Sequence, residues 1–287
     1  MPERNKIYVY PKLPAEFDLG FIRVGGSGLA NCMFVAARAW IMAQLNGFQL
    51  IEPTWRKFSI GPYIRREKDK RDYFGIFKPI GISGLSKIYL LHSRGKISLE
   101  KSEKLQNGII HIEGLGNYFE DLLNYHEMVK KYFDLAIRES ALEKTNQFNF
   151  SNCIGIHIRL GDYIQEYRTN IKWYEAMIHQ IAIHSKKKYR FILFSDGNDD
   201  ELKDLMQMEQ CERVFFGNAL ADMIALSRCR LIIGSDSTFS GWAAFLGQVP
   251  VIFPKRHFPR VLLNPKLEVI HCNNLQLPKH FLDIIDL

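Results

Sequence analysis

Long apolar runs are missing from this sequence, and with none reaching ~18 residues no membrane-spanning helix is expected. The amino-terminal Met1-Pro2-Glu3-Arg4-Asn5-Lys6 leads into only a short apolar stretch, too little for a secretion signal. Cysteine is sparse. The five cysteines (Cys32, Cys153, Cys211, Cys229, Cys272) are scattered without a Cys-x-x-Cys pair, and they read as small core residues in a reducing compartment. The Gly-Lys-Ser/Thr ending of a P-loop, a complete Gly-x-Gly-x-x-Gly and any Asp-x-Asp are also missing. No metal and no cofactor is therefore expected. Internal repeats and low-complexity tracts are absent as well.

What is present is an ordinary globular composition, 47% hydrophobic and 24% charged. The 38 bases and 31 acids leave a net charge of +7. The densest cluster, Arg65-Arg66-Glu67-Lys68-Asp69-Lys70-Arg71-Asp72, interrupts its bases with acids and suits a solvated face. Without zinc spacing or a helix-turn-helix signature, nucleic acid is not the expected partner. An anionic small molecule or a membrane-bound acceptor fits the excess better.

Phe21-Ile22-Arg23-Val24 predicts a strand running into the loop Gly25-Gly26-Ser27-Gly28. A helix from Leu29, stopped by Gly47, and a strand at Phe48–Ile51 complete a βαβ pattern. Residues 53 to 105 carry no sustained period, and Ile109–Glu113 predicts a further strand. Later strands are expected at Cys153–Ile158, Arg190–Ser195, Arg213–Phe216, Leu231–Ile233 and Val249–Phe253, with helices near 172–185, 199–208, 219–228 and 238–247. That alternation implies a parallel sheet covered on both faces. Two α/β halves, residues 1–150 and 151–287, facing a cleft are the expected architecture.

The chemistry concentrates at strand ends. His157-Ile158-Arg159-Leu160-Gly161-Asp162-Tyr163 leaves a buried strand at its carboxyl end, where open α/β sheets bind ligands. A buried Arg wants a carboxylate or phosphate, so Arg159 reads either as an ion pair with Asp162 or as an anion ligand. Ser195-Asp196-Gly197 and Gly234-Ser235-Asp236-Ser237-Thr238-Phe239-Ser240 should reach the same edge. The second run offers hydroxyls and amides at a helix start, for phosphate binding or for capping alone. Asp222 opens another helix, as a cap or a ligand acceptor.

Three stretches together resemble the α-1,2-fucosyltransferases of glycosyltransferase family eleven, and more distantly the α-1,6- and protein O-fucosyltransferases. Gly28-Leu29-Ala30-Asn31-Cys32-Met33-Phe34 is similar to that family's Gly-Leu-Gly-Asn-Gln-Met-Phe, and His157 to Tyr163 to its His-x-Arg-Arg-Gly-Asp-Tyr. Asp222 through Trp242 is similar to its carboxyl-terminal signature. The resemblance implies a two-domain GT-B fold with Rossmann-like halves, and an inverting, metal-independent transfer from GDP-fucose to a hydroxyl, O2 of a galactoside. It implies that Arg159 neutralises the leaving diphosphate and that His157 and Asp222 hold the guanine and ribose end. By the same token Ser237, Thr238, Phe239 and Ser240 bind phosphate, Asp162 orients Arg159 or the donor, and Asn31 faces the cleft. Inversion asks for a base, and Glu166 is the candidate, with Asp162 the other.

The sequence departs from the family pattern at Leu160, where the second Arg stands, at Ala30 and Cys32, and at Gly241-Trp242, where a Trp pair is usual. These departures keep two further readings open, a non-catalytic sugar-nucleotide-binding protein and a transferase with another donor. The expected acceptor is an oligosaccharide or lipid-linked glycan, a precursor of bacterial surface polysaccharide. The expected location is the cytoplasm, with peripheral attachment to the inner face of the membrane.

Overall fold

A computed structural model describes residues 6–64, 69–98, 107–161, 165–270 and 276–285. The chain divides into two compact units, Met1–Ala141 and Leu142–Leu287.

In the first unit the strands are β1 (Ile7–Pro11), β2 (Phe17–Asp18), β3 (Arg23–Val24), β4 (Gln49–Leu50), β5 (Lys57–Phe58), β6 (Lys96–Ile97) and β7 (Gly108–Ile112). The described residues build a parallel sheet in the order β4-β1-β7-β6 and a small sheet in the order β2-β3-β5. The βαβ unit therefore differs from the expected one. β4 pairs in parallel with β1, not with the strand before the glycine loop, which is confined to Arg23–Val24 and belongs to the small sheet. The cause is burial: Tyr8, Val9 and Tyr10 are buried on both faces, as a central parallel strand requires, whereas Phe21 is exposed. The connecting helix Leu29–Asn46 buries Leu29, Met33, Phe34, Ala37 and Ile41 and stops at Gly47, whose left-handed backbone returns its N–H to the Ala43 carbonyl. The unreadable stretch holds elements too short to show a period, two-residue β5 and β6 and the helices Gly61–Ile64 and Gly84–Ser93.

In the second unit the strands are β8 (Cys153–Ile158), β9 (Arg190–Ser195), β10 (Cys211–Arg213), β11 (Leu231–Ile233), β12 (Val251–Phe253) and β13 (Glu268–Ile270). The described residues form one wholly parallel sheet in the order β10-β9-β8-β11-β12-β13. The first strand lies at the middle and the order reverses between β8 and β11, the Rossmann arrangement with its switch point there. β10 lies earlier than expected and β12 starts later. β13 was not anticipated, because its first residue is an acid turned inward: Glu268 pairs with Arg256 and accepts the amides of Val261 and Leu262. The expected helix near 199–208 reduces to Lys203–Met206.

The faces of β8 fix the site. Ile154, Ile156, Ile158 and Leu160 share one face, packed in a core with Tyr174, Met177, Ile178 and Ile181 of the helix Ile171–His184. His157 and Arg159, at odd positions, lie on the other. Leu160 is only 4% exposed, so the side chain that departs from the family pattern belongs to the core and not to the strand's polar face. Leu160→Arg is thus expected to cost more than ~3 kcal/mol by burying an unpaired cation. Leu160→Met should cost less than ~1.5 kcal/mol. Urea denaturation checks both.

Candidate functional site

Beyond β8 the chain turns at Leu160 and Gly161, and their amides both point to one carboxylate. Asp196, just past the end of β9, accepts Leu160 N at 2.9 Å and Gly161 N at 3.0 Å through Oδ1. Its Oδ2 pairs with the Arg159 guanidinium, both side chains being mostly buried. A side chain at Gly161 would collide with this carboxylate, its Cβ falling 2.5 Å from Oδ2. Burial alone would raise the Asp196 pKa, but Arg159 and the two amides outweigh it and hold the carboxyl below its usual range.

Across the switch point, the residues after β11 form a hydroxyl-rich turn. Ser237 caps the helix Thr238–Gly247, its Oγ accepting Phe239 N at 3.3 Å. Ser240 is fully buried, takes the Ser235 amide at 3.2 Å, and lies 2.7 Å from His157 Nδ1. The Ser235 hydroxyl is 3.0 Å from the same nitrogen. The imidazole stacks on Phe239, centroids 4.6 Å apart. Two hydroxyls thus pin Nδ1, while no described residue hydrogen-bonds Nε2. Asp236 secures the turn from outside, accepting from His257 N at 3.0 Å.

His157, Ser237, Phe239 and Ser240 therefore meet in one place, with Thr238 in the first turn of the same helix, and Arg159 lies on the same face of β8. Asp222 lies in the first turn of another helix. The cap of the helix Ala219–Leu226 is Asn218, which accepts Ala221 N at 2.9 Å, and Asp222 instead accepts Phe216 N at 2.7 Å. Glu166 is exposed in the turn Gln165–Tyr167, with no hydrogen bond or ion pair to the described residues. Asp162 lies outside the described residues. Asn31 occupies the first turn of the helix Leu29–Asn46 in the other unit. Sequence reasoning brought Asp196 and Ser235 to this edge but gave neither a role. The available signal was Asp196's place at the carboxyl end of the strand beside β8. Among the described residues no three His, Cys, Asp or Glu side chains gather as metal ligands.

The glycine loop of the first unit is built by cations beneath it. Arg23 Nη1 donates to Pro14 O at 3.0 Å and Lys57 Nζ to Gly26 O at 2.8 Å, both side chains buried. Gly26, at φ 82°, passes so close to Pro14 O that a Cβ would stand 2.0 Å from it. Drawing the loop's carbonyls inward leaves the helix that follows with no side-chain cap and no acid in its first turn. Its amide end is electropositive.

A family model described as "Glycosyl transferase family 11" matches residues 100–252. No curated protein sequence matches the chain. Among solved structures, NodZ α-1,6-fucosyltransferase co-crystallised with GDP is 17% identical at a TM-score of 0.54, covering 88% of this chain and 94% of that one. Fucosyltransferase NodZ from Bradyrhizobium is 16% identical at 0.53, covering 88% and 96%. A variant of Arabidopsis thaliana FUT1 in complex with GDP is 14% identical at 0.56, covering 91% and 72%. At these identities the likeness is one of fold, and that fold is the GT-B type.

Burial lowers the His157 pKa to about 3, against the pull of Asp196 and with a smaller push from Arg159. Unfolded histidine titrates near ~6.5, so between these values the unfolded chain binds the extra proton and stability falls as pH drops. Asp196, depressed instead, adds stability above its unfolded value of ~3.9 and loses it only below. Stability should therefore decline below pH ~6.5 by up to ~1.4 kcal/mol per pH unit from this one histidine. In His157→Gln the slope should flatten by that amount, as read by urea unfolding at pH 7.5, 6 and 5.

Proposed function

The chain belongs to glycosyl transferase family 11, and from that premise we propose that it transfers fucose from GDP-fucose to a hydroxyl of a glycan acceptor, with inversion and without a metal ion. The observation that carries this reading is the pairing of Arg159 with Asp196 at the switch point, on the same face of β8 as a histidine pinned by the Ser235–Ser240 turn. A parallel sheet with these groups at its carboxyl edge is built to receive a nucleotide diphosphate. Structures of fold relatives carry GDP or were soaked with GDP-fucose, in keeping with such a donor.

In this mechanism the acceptor oxygen attacks the anomeric carbon as the bond to the β-phosphate oxygen breaks, and GDP leaves with the electron pair. Positive charge grows on the sugar ring and negative charge on the diphosphate. Arg159 meets that negative charge, and because Asp196 holds it beforehand, little reorganisation is needed at the moment of reaction. Ser237, Thr238, Phe239 and Ser240 add hydroxyls and amides of a helix start, neutral donors where the family has a second arginine. His157, uncharged near neutral pH, offers Nε2 to the nucleoside end, with Asp222 as its partner there. Glu166 takes the acceptor proton, Asp162 being the other carboxylate of that segment. Asn31 serves the donor or acceptor from the first unit.

The acceptor in this reading is O2 of a galactoside in an oligosaccharide or lipid-linked glycan, a precursor of surface polysaccharide, handled in the cytoplasm with peripheral attachment to the membrane. Among the described residues no helix is long and apolar enough to cross a membrane. A non-catalytic reading draws on the missing arginine at Leu160 and on the altered Trp pair at Gly241-Trp242. Leu160 packs in the core beneath that face, so its departure from the family pattern leaves Arg159 and the turn after β11 in place for the catalytic reading.

Arg159→Ala is expected to lower turnover by about 10²–10³, and Glu166→Gln by about 10²–10⁴. Both effects should hold in chelator, with product mass and GDP release as readouts against a panel of galactosides. Essentially unchanged turnover in Arg159→Ala would refute the assigned mechanism. Binding of GDP-fucose without release of GDP under any acceptor would favour the non-catalytic alternative.

A further inference from the structure

The small sheet of the first unit inverts the usual alternation. Its register sets Asp18, Arg23 and Lys57 side by side in one row, and Phe17, Val24 and Phe58 in the next. The charged row turns inward, where Arg23 and Lys57 hold the glycine loop. The apolar row turns outward, with Phe17 67% and Phe58 49% exposed. A slip of one residue would bury the rings and solvate the cations, the ordinary arrangement. The inward cations forbid that slip, so the exposed rings are fixed by construction.

The apolar surface continues beside β5. The Lys57 amide donates to Asp72 O at 2.8 Å, bringing Phe74, 66% exposed, alongside. The exposed Arg56 lies over the Phe74 ring, 4.7 Å from its centroid, and Lys70 lies 5.2 Å from that of Tyr63. We propose that this face docks on an anionic lipid surface. Rings with cations at their edge place hydrocarbon among acyl chains and positive charge at phosphate level. A sugar site would set amides or carboxylates beside its rings, and the Phe17–Val24–Phe58 row has none. Self-association about a two-fold axis would bring these cations toward their own copies. Glu16, Asp18, Asp69 and Asp72 are the acids on the same described segments, Asp18 in the inward row, set against a chain that carries +7 overall.

This inference rests on the proposed function only in that a membrane-borne acceptor gives the docking its use, and lipid binding is measured apart from transfer. The test is flotation of the full chain with phosphatidylcholine vesicles, with and without about one third phosphatidylglycerol, at low and high salt. Binding is expected to the anionic vesicles alone and to weaken in salt. Phe58→Ser and Arg56→Glu should each weaken it by about tenfold or more, and Phe17→Ser/Phe58→Ser should abolish it. GDP binding by all three should be unchanged, showing that they fold. No preference for anionic vesicles, or unchanged binding by the double variant, overturns the proposal. So does a dimer that Phe58→Ser converts to monomer, which makes the face a contact between copies. Transfer without vesicle binding sinks this inference and leaves the proposed function standing; vesicle binding without transfer does the reverse.

Discussion

The carboxylate of Asp196 is the constraint on which the second unit's polar edge depends. It neutralises a mostly buried guanidinium and satisfies the two amides by which β8 leaves the sheet. Remove it, and Arg159 loses this counter-charge while Leu160 and Gly161 lose the acceptor that fixes their turn. The same contact explains why residue 161 is glycine, since a side chain there would displace the carboxylate. It also explains how one segment serves core and site together. Leu160 anchors the turn in the apolar core below, and Arg159 is held on the opposite face. An ion pair of this kind contributes little net stability, but it sets the orientation of the cation before any ligand arrives.

Much of this organisation was legible in the sequence, because the long-period signals are local. β8, β9 and β11 are continuous apolar runs. The helices Leu29–Asn46 and Thr238–Gly247 announce themselves by apolar spacing, by Gly47 at the end of one and Ser237 at the start of the other. The failures have a shared cause, partners distant along the chain. Asp196 lies 36 residues from Leu160, and although the strand pattern brings both to one edge, nothing within either segment records that the carboxylate pairs with Arg159 and the turn amides. Arg159 plainly needed an anion, and the nearest acid in sequence, Asp162, was the only one that local reading could offer. β1 went unread because the strand before the glycine loop looked the better partner for β4, and only burial on both faces separates them. Asp222 opens a helix and so reads either as a cap or as a ligand acceptor, and the cap position is held by Asn218.

The two units handle buried charge in opposite ways. In the second, Arg159, Arg168 and Arg256 each find a carboxylate, Asp196, Glu201 and Glu268 respectively. In the first, Arg23 Nη1 and Lys57 Nζ donate to the carbonyls of Pro14 and Gly26, and Arg23 Nε and Nη2 have no hydrogen-bond partner among the described residues. Carbonyl dipoles solvate a cation but do not cancel it. These contacts lie beside the electropositive end of the helix that follows the loop. Burying two cations where apolar side chains would ordinarily go costs stability, and that cost falls on the segment that shapes this electropositive loop.

Charge balance at the switch point bears on how a diphosphate could be held there at all. Arg159 and Asp196 together are nearly neutral, and His157, with its pKa lowered to about 3, adds no charge at neutral pH. The net attraction for a dianion must then come from fixed dipoles, the hydroxyls of the Ser235–Ser240 turn and the amide end of the helix Thr238–Gly247. Dipoles arranged in advance suit a leaving group better than mobile cations do. They bind the ground state modestly, yet gain fully as charge collects on the departing oxygen, and only that difference between ground and transition state accelerates a reaction. A second arginine on this face would tighten donor binding in both states alike. In the proposed mechanism, with Leu160 turned into the core, discrimination between the two states falls to the turn after β11 and to Arg159, held in place by Asp196.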